Sequence, residues 1–230
     1  MIGIIGGSGV ERLMSGRFRP VQTPYGVADV FEGRGWKFVS RHGATHSIPP
    51  NRINYRANLY ALKNCELIVG INAVGAITRF KPGDLGLATD FIGLFVDTPS
   101  FYDSVDGAET HCDASVYSEK VNKRIIRIAN KRKITVKEGV VVGTSRGMRY
   151  ETPAEIEAFR RLGANAISMT HSYEASLVAE LGIDFASLCV FTNYAAGIKG
   201  RKLSQKEVYD MMERKAGEVK KIVDGILEEW

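Results

Sequence analysis

Short apolar runs alternate with stretches whose apolar residues recur at three- and four-residue steps, the alternation expected of an α/β fold. Runs at Ile2–Ile5, Trp36–Ser40, Leu67–Ile71, Gly139–Gly143, Ala166–Met169 and Phe185–Thr192 predict strands. Helix signals fall between several of them. Thr152-Pro153-Ala154-Glu155 combines a capping box with proline in the first helical position, and Gly163 after Leu162 is a stop. Ser172 is expected to cap a helix through Leu181, ended by Gly182. Ser204-Gln205-Lys206-Glu207 opens a long final helix, whose Val208, Met211, Met212, Val219, Ile222, Val223, Ile226 and Leu227 make one apolar stripe. Lys120 to Lys133 sets its charges between Val121, Ile125, Ile126 and Ile128, which predicts an amphipathic helix with a solvated basic face. The longest predicted loop, Phe95 to Val116, is rich in Asp, Ser, Gly and Thr, and loops of that length are often functional.

Composition narrows the class. Hydrophobic residues at 44% and charged residues at 25% of 230 positions suit one globular domain with a full core, and exclude disorder. Cys65, Cys112 and Cys189 are too few and too scattered for a disulfide framework or a zinc site, and fit reduced thiols. No basic leader opens the chain and no apolar run reaches membrane-spanning length, so a cytoplasmic protein with no membrane partner is expected. The net charge of +5 admits an anionic substrate. The basic stretch lacks the interleaved aromatics of a nucleic-acid platform, so no nucleic-acid partner is expected.

Polar groups and glycines gather where the predicted strands end, the place where an open α/β sheet binds its ligand. Gly6-Gly7-Ser8-Gly9 lets backbone amides approach an anion, with the Ser8 hydroxyl as a further donor. Arg12 stands where a dinucleotide fingerprint needs its third glycine, which disfavours the Rossmann reading. Arg41-His42-Gly43-Ala44-Thr45-His46 follows the second strand. Metal binding by His42 and His46 would need a helix there, whereas Arg41 and His42 at a strand end suit phosphate. Asn72-Ala73-Val74-Gly75, the Gly143 to Thr152 segment, Met169-Thr170-His171 and Thr192-Asn193-Tyr194-Ala195-Ala196-Gly197 close four more strands. The residues alone reach an α/β enzyme with an anion site.

The chain resembles the trimeric-type purine nucleoside and methylthioadenosine phosphorylases over nearly its whole length. The most specific segments are Ser40-Arg41-His42-Gly43, Asn54-Tyr55-Arg56-Ala57-Asn58, Ala61-Leu62-Lys63, Glu151-Thr152 with Ala154-Glu155, and Met169-Thr170. The resemblance implies one nucleoside phosphorylase-like α/β domain over residues 1–230, with a central mixed β-sheet flanked by helices. It implies a phosphate site of Ser8, Arg41, His42, Asn72, Ala73 and Thr170. Glu151 and Asn193 would act on the base, while Tyr150, Met169, Ala195, Val208, Tyr209 and His111 would contact the nucleoside. His111 would do so across a subunit boundary, in a homotrimer or homohexamer. No cofactor or metal is implied, because phosphate itself is the nucleophile.

Adenine-selective relatives carry Asp and Ser where this chain has Asn193 and Glu151, so the pair points to a 6-oxopurine. The absence of histidine from the last helix, with Val208 and Tyr209 at its start, favours 5′-methylthioinosine as substrate. Inosine or guanosine, and methylthioadenosine, are the alternatives. The chain departs from the family at His171-Ser172-Tyr173, where relatives carry a small residue and a proline, and at Met148, which replaces a usual proline.

Overall fold

The structure is a computed structural model that describes residues 1–7, 10, 16–97, 99–104, 116–200 and 203–230. Its strands are β1 (Ile2–Gly6), β2 (Arg17–Thr23), β3 (Gly26–Gly33), β4 (Trp36–Ser40), β5 (Leu67–Ala76), β6 (Leu85–Ile92), β7 (Lys137–Thr144), β8 (Ala166–Ser168) and β9 (Asp184–Tyr194). Its helices are α1 (Tyr55–Tyr60), α2 (Glu119–Lys131), α3 (Pro153–Arg161), α4 (His171–Leu181) and α5 (Gln205–Glu229). All strands join one mixed sheet in the order β2-β3-β4-β1-β5-β8-β7-β6-β9. A further β5–β9 pairing closes β5, β8, β7, β6 and β9 into a barrel-like ring.

The two-residue period of the strands sorts the core into layers. Along β5, Leu67, Val69 and Ile71 pack with Val121, Ile125 and Ile128 of α2 and Met212, Val219 and Ile222 of α5. Ile68 and Val74 face the other way, into a cluster with Tyr55 and Leu59 of α1 and Leu177 and Val178 of α4. β9 repeats the pattern, with Ala186, Leu188 and Val190 on the α2–α5 side and Phe185, Cys189 and Phe191 on the other. A smaller cluster seats Ile156 and Phe159 of α3 against Ile77, Ile167 and Ala195. The helices therefore flank the sheet on both faces, as expected.

Capping follows the sequence at α3, where Thr152 and Glu155 complete a capping box, and at α5, where the Ser204 hydroxyl accepts from Glu207 N. Ser118 does the same for α2. At α4 the expectation fails. The cap position is Thr170, which makes no side-chain capping bond, and Ser172 lies inside the helix. The neighbouring strand end supplies the missing partner instead: Ser172 N donates to Thr144 Oγ1 at 3.0 Å. Asn72 and Ala73 likewise do not end a strand, because β5 runs on to Ala76.

Strands β2, β3 and β6 and the short α1 carry no clear sequence signal. β2 is an edge strand with the sequence RFRPVQT, exposed except at Val21 and Thr23 near its end, so no alternation develops. α1 spans barely more than a turn and a half, too short for a periodic stripe, and Asn54 Oδ1 caps it by accepting from Ala57 N.

A bulge between β5 and β9 shapes the ligand end of the sheet. Val74 pairs with Phe191 but Gly75 pairs with Asn193, so Thr192 is the extra residue. The slip brings Asn193 beside Gly75, where a Cβ on that glycine would meet Asn193 Nδ2 at 3.5 Å.

Helix α3 packs closely on β7. A Cβ on Gly143 would come within 2.5 Å of Phe159 Cδ1. Gly143→Ala is expected to destabilise the fold by about 1–3 kcal/mol through overpacking, measured by urea unfolding.

Candidate functional site

At the ends of β1, β4 and β8, and along the last residues of β5 and β9, lies a cavity of about 400 Å³. Every candidate residue within the described part of the chain lines it. Ser8 and His111 lie outside the described residues.

Arg41 follows β4, and its N–H donates to Gly6 O at 2.8 Å, tying the ends of β1 and β4 together. Its guanidinium is buried, 3% exposed, against Glu174 of α4, which is fully buried. Nε donates to one Glu174 oxygen, Nη2 to the other at 2.8 Å, and Nη1 to Ile71 O at 3.2 Å. The bidentate pair fixes the plane of the guanidinium at the cavity wall. Burial raises the Glu174 carboxyl above its ordinary range, and the Arg41 charge opposes that rise. The sequence pattern assigns Glu174 no role, although it is the one acidic residue in the first turn of its helix.

His42 packs over Gly7. Burial and the neighbouring Arg41 lower its pKa to about 4, so the ring is neutral near pH 7. Nδ1–H donates to Ile48 O at 2.7 Å, which leaves Nε2 as an acceptor. Contact with an anion through Nε2 therefore requires a proton on the ring or on the anion. The His46 ring lies 4.7 Å from that of His42 and 6.0 Å from Tyr209. Both histidines sit in a turn, not on a helix face, and no metal-binding group of three or more His, Cys, Asp or Glu exists among the described residues.

Thr170 places the N-terminus of α4 at the cavity, where unsatisfied N–H groups and the helix dipole favour an anion. Its N–H donates to Ser168 Oγ and its hydroxyl to Asn72 Oδ1. Asn72, on β5, in turn donates from Nδ2 to Ser187 Oγ at 3.0 Å. Arg41, His42, Asn72, Ala73 and Thr170 thus converge on one end of the cavity.

Glu151 and Asn193 stand at another part of the wall. Burial raises the Glu151 carboxyl above its ordinary range, and the Ser145 hydroxyl, which donates to Oε1, partly opposes this. Asn193 Oδ1 accepts from Thr192 Oγ1 at 2.7 Å and Nδ2 donates to Tyr194 O at 2.9 Å. One lone pair and one N–H of that amide remain for a ligand. Tyr150, Met169 and Ala195 line the space nearby. The first turns of α5 add Val208, Tyr209 and Met212, together with Gln205, whose Nε2 donates to the Tyr209 hydroxyl at 3.4 Å.

Comparison with known proteins identifies the family and the fold. The family model described as the phosphorylase superfamily matches residues 1–228. A probable S-methyl-5′-thioinosine phosphorylase of Methanopyrus kandleri is 37% identical over 99% of this chain and 91% of its own. The 6-oxopurine nucleoside phosphorylase of Pyrococcus furiosus is 36% identical over 96% of this chain and 90% of its own. The structure of methylthioadenosine phosphorylase from Schistosoma mansoni in complex with adenine superposes with a TM-score of 0.89 at 27% identity, covering 99% of this chain and 90% of the other.

Breaking a buried ion pair from one side strands the other charge. Glu174→Gln is expected to cost about 3–5 kcal/mol of stability, measured by denaturant unfolding.

Proposed function

Because the chain belongs to the phosphorylase superfamily, we propose that it cleaves 6-oxopurine nucleosides by phosphorolysis, with inosine and guanosine ahead of 5′-methylthioinosine. The reaction class, a phosphorylase acting on a purine nucleoside, follows from the family and the fold together. The observation that carries the choice of base is the Glu151–Asn193 pair on the cavity wall. An asparagine N–H can donate to a 6-oxo group while its carbonyl accepts from N7–H, and a carboxylate can accept from N1–H. Hypoxanthine and guanine have that N1–H; neutral adenine lacks it. A site with buried polar groups set for one pattern can reject the other by roughly 10⁴–10⁵.

The 5′ end of the cavity supports a free hydroxyl. His46, Gln205 and the Tyr209 hydroxyl bring polar groups among Val208 and Met212. Val208 and Met212 themselves, with Leu203 beside them, favour the second reading, the methylthio nucleoside. The names of the relatives divide between the two, and both kinds of substrate carry a 6-oxopurine.

In this reading phosphate lies between Arg41, His42, Asn72, Ala73 and Thr170, with Ser8 completing its shell. The C1′–N9 bond breaks as an oxygen of phosphate bonds to C1′. Positive charge that develops on the ribose is stabilised by the anion beside it, in a site whose donors are already in place. The departing purine carries the electron pair of the broken bond and takes at N7, by way of solvent, the proton that hydrogen phosphate loses on forming the ester, and Asn193 Oδ1 then accepts a hydrogen bond from N7–H. The products are the free base and ribose 1-phosphate, with no cofactor. Tyr150 covers the base and Met169 the ribose, and the active form is a homotrimer, or a homohexamer, to which His111 contributes across the boundary.

Base release is expected to require phosphate; equal rates in phosphate-free buffer would identify a hydrolase and sink the proposal. For the base, kcat/KM is measured with inosine, guanosine, 5′-methylthioinosine and methylthioadenosine. Asn193→Asp removes the donor to O6 and sets a negative charge opposite it, an expected loss of about 2–4 kcal/mol in transition-state stabilisation with inosine. Wild-type preference for methylthioadenosine would overturn the assignment of the base.

A further inference from the structure

Ser145 is the first residue after β7, and no step of the reaction above uses it. The sheet holds its backbone: Ser145 N donates to Ser168 O at 3.0 Å, which carries the β7–β8 pairing one residue further. Thr144, just before it, is tied to α4 through Ser172 N. Glu151, six residues on, is fixed from the other side, because Thr152 after it caps α3 in a capping box. Between these anchors a loop carries Met148 and Tyr150 to the cavity wall. The Ser145 hydroxyl closes that loop by donating to Glu151 Oε1. Ser145 itself lies outside the cavity lining, whereas Glu151 is part of it.

What matters is which oxygen the bond occupies. A carboxylate has two oxygens that only accept, whereas its acid has one that accepts and one that donates. With Oε1 accepting from Ser145, Oε2 is the oxygen left for a ligand in either form. We propose that Ser145 is a positioning residue for base recognition, whose hold on Oε1 turns Oε2 of Glu151 to N1 of the purine and makes that oxygen the reader of the base. Ionised, Oε2 accepts from N1–H of a 6-oxopurine. When Glu151 is protonated the proton sits on Oε2, because Oε1 is held as an acceptor. The O–H then meets the N1 lone pair of a 6-aminopurine.

One proton therefore reverses the polarity offered to the base, and solvent supplies it through the cavity that Glu151 lines. Burial raises the Glu151 carboxyl above its ordinary range, and the Ser145 hydroxyl is the foremost group opposing that rise, followed by the N–H of Glu151. Glu155 of α3 raises it further and Arg149 lowers it, and these two charges pair with each other at 2.7 and 2.8 Å. Tyr150, whose own pKa is raised by burial and by Glu151, stays neutral. Preference for the 6-oxopurine is thus present above the folded-state pKa of Glu151 and is lost as pH falls through it. Without the Ser145 donor that loss comes at higher pH.

The role of Ser145 rests on the reading that Glu151 meets the base, and the experiment separates the two. kcat/KM is measured for inosine and adenosine from about pH 5 to about pH 8. Phosphate and its ligands titrate alike with both nucleosides, so they cancel in the ratio. In the wild type the ratio of inosine to adenosine is expected to rise with pH. Ser145→Ala is expected to lower kcat/KM for inosine about tenfold at neutral pH, with the phosphate KM changed by less than about twofold. The same variant is expected to move the rise of the ratio to higher pH, and Ser145→Thr, which keeps the hydroxyl, to restore both. A merely structural role would lower both nucleosides together and leave the pH profile of the ratio in place. That result, or a Ser145→Ala variant like the wild type, would overturn the role of Ser145. Inosine turnover indifferent to Glu151→Gln would instead remove the reading of the base beneath it. Should Ser145→Ala not fold, the wild-type ratio decides, and a ratio flat across the range overturns the assignment.

Discussion

The ladder between β5 and β9 closes the ring of strands, and it is buried on both faces over nearly its whole length. That places a constraint on everything attached to it, because a polar group buried there without a partner costs roughly 1–3 kcal/mol. Asn72, Ser187 and Thr192 all lie on this ladder, and each has a partner. Thr192, the residue displaced by the bulge, donates to Asn193 Oδ1 or to Val74 O. The polar wall of the cavity is thus built by the same rule that closes the core.

Charge is held under a similar constraint. Arg41 is brought to the cavity wall in a plane fixed by Glu174, so a guanidinium that would otherwise lose much rotamer freedom on binding an anion is already ordered. A carboxylate so close also tempers its attraction for anions. An anion that met Arg41 would share the cation with Glu174. His42, neutral beside this pair, adds no fixed charge.

Much of this is legible in the sequence, and the exceptions have physical causes. Arg41, His42, Glu151, Thr170 and Asn193 stand out because each sits beside a strand end or a helix cap, and one cavity collects them. β2 leaves no pattern because pairing with β3, and not burial, makes it a strand. Ser172 misleads because capping propensity is local, whereas Thr144, distant in sequence, supplies the hydrogen bond. Glu174 is invisible as a site residue for the same reason: its partner lies across the sheet, and only the packing of α4 brings the two together. The bulge at Thr192 cannot be read from composition, since one extra residue in a strand leaves no mark in a continuous apolar run.

The final helix carries a mechanical consequence. It starts on the cavity wall with Gln205, Val208 and Tyr209, and its far end is pinned. There Arg132 holds Glu228 and Glu229 at 2.6 and 2.9 Å, and the Arg124 guanidinium lies 4.1 Å above the Trp230 ring. From Met211 onward its apolar stripe is buried, whereas the turns before that residue carry exposed or partly exposed side chains. The helix is therefore a cantilever, packed into the core over most of its length and exposed at the end that lines the cavity. Bending at that end would widen or narrow the cavity beside Val208 and Tyr209 before it disturbed the walls built on β5 and β9, which the sheet holds.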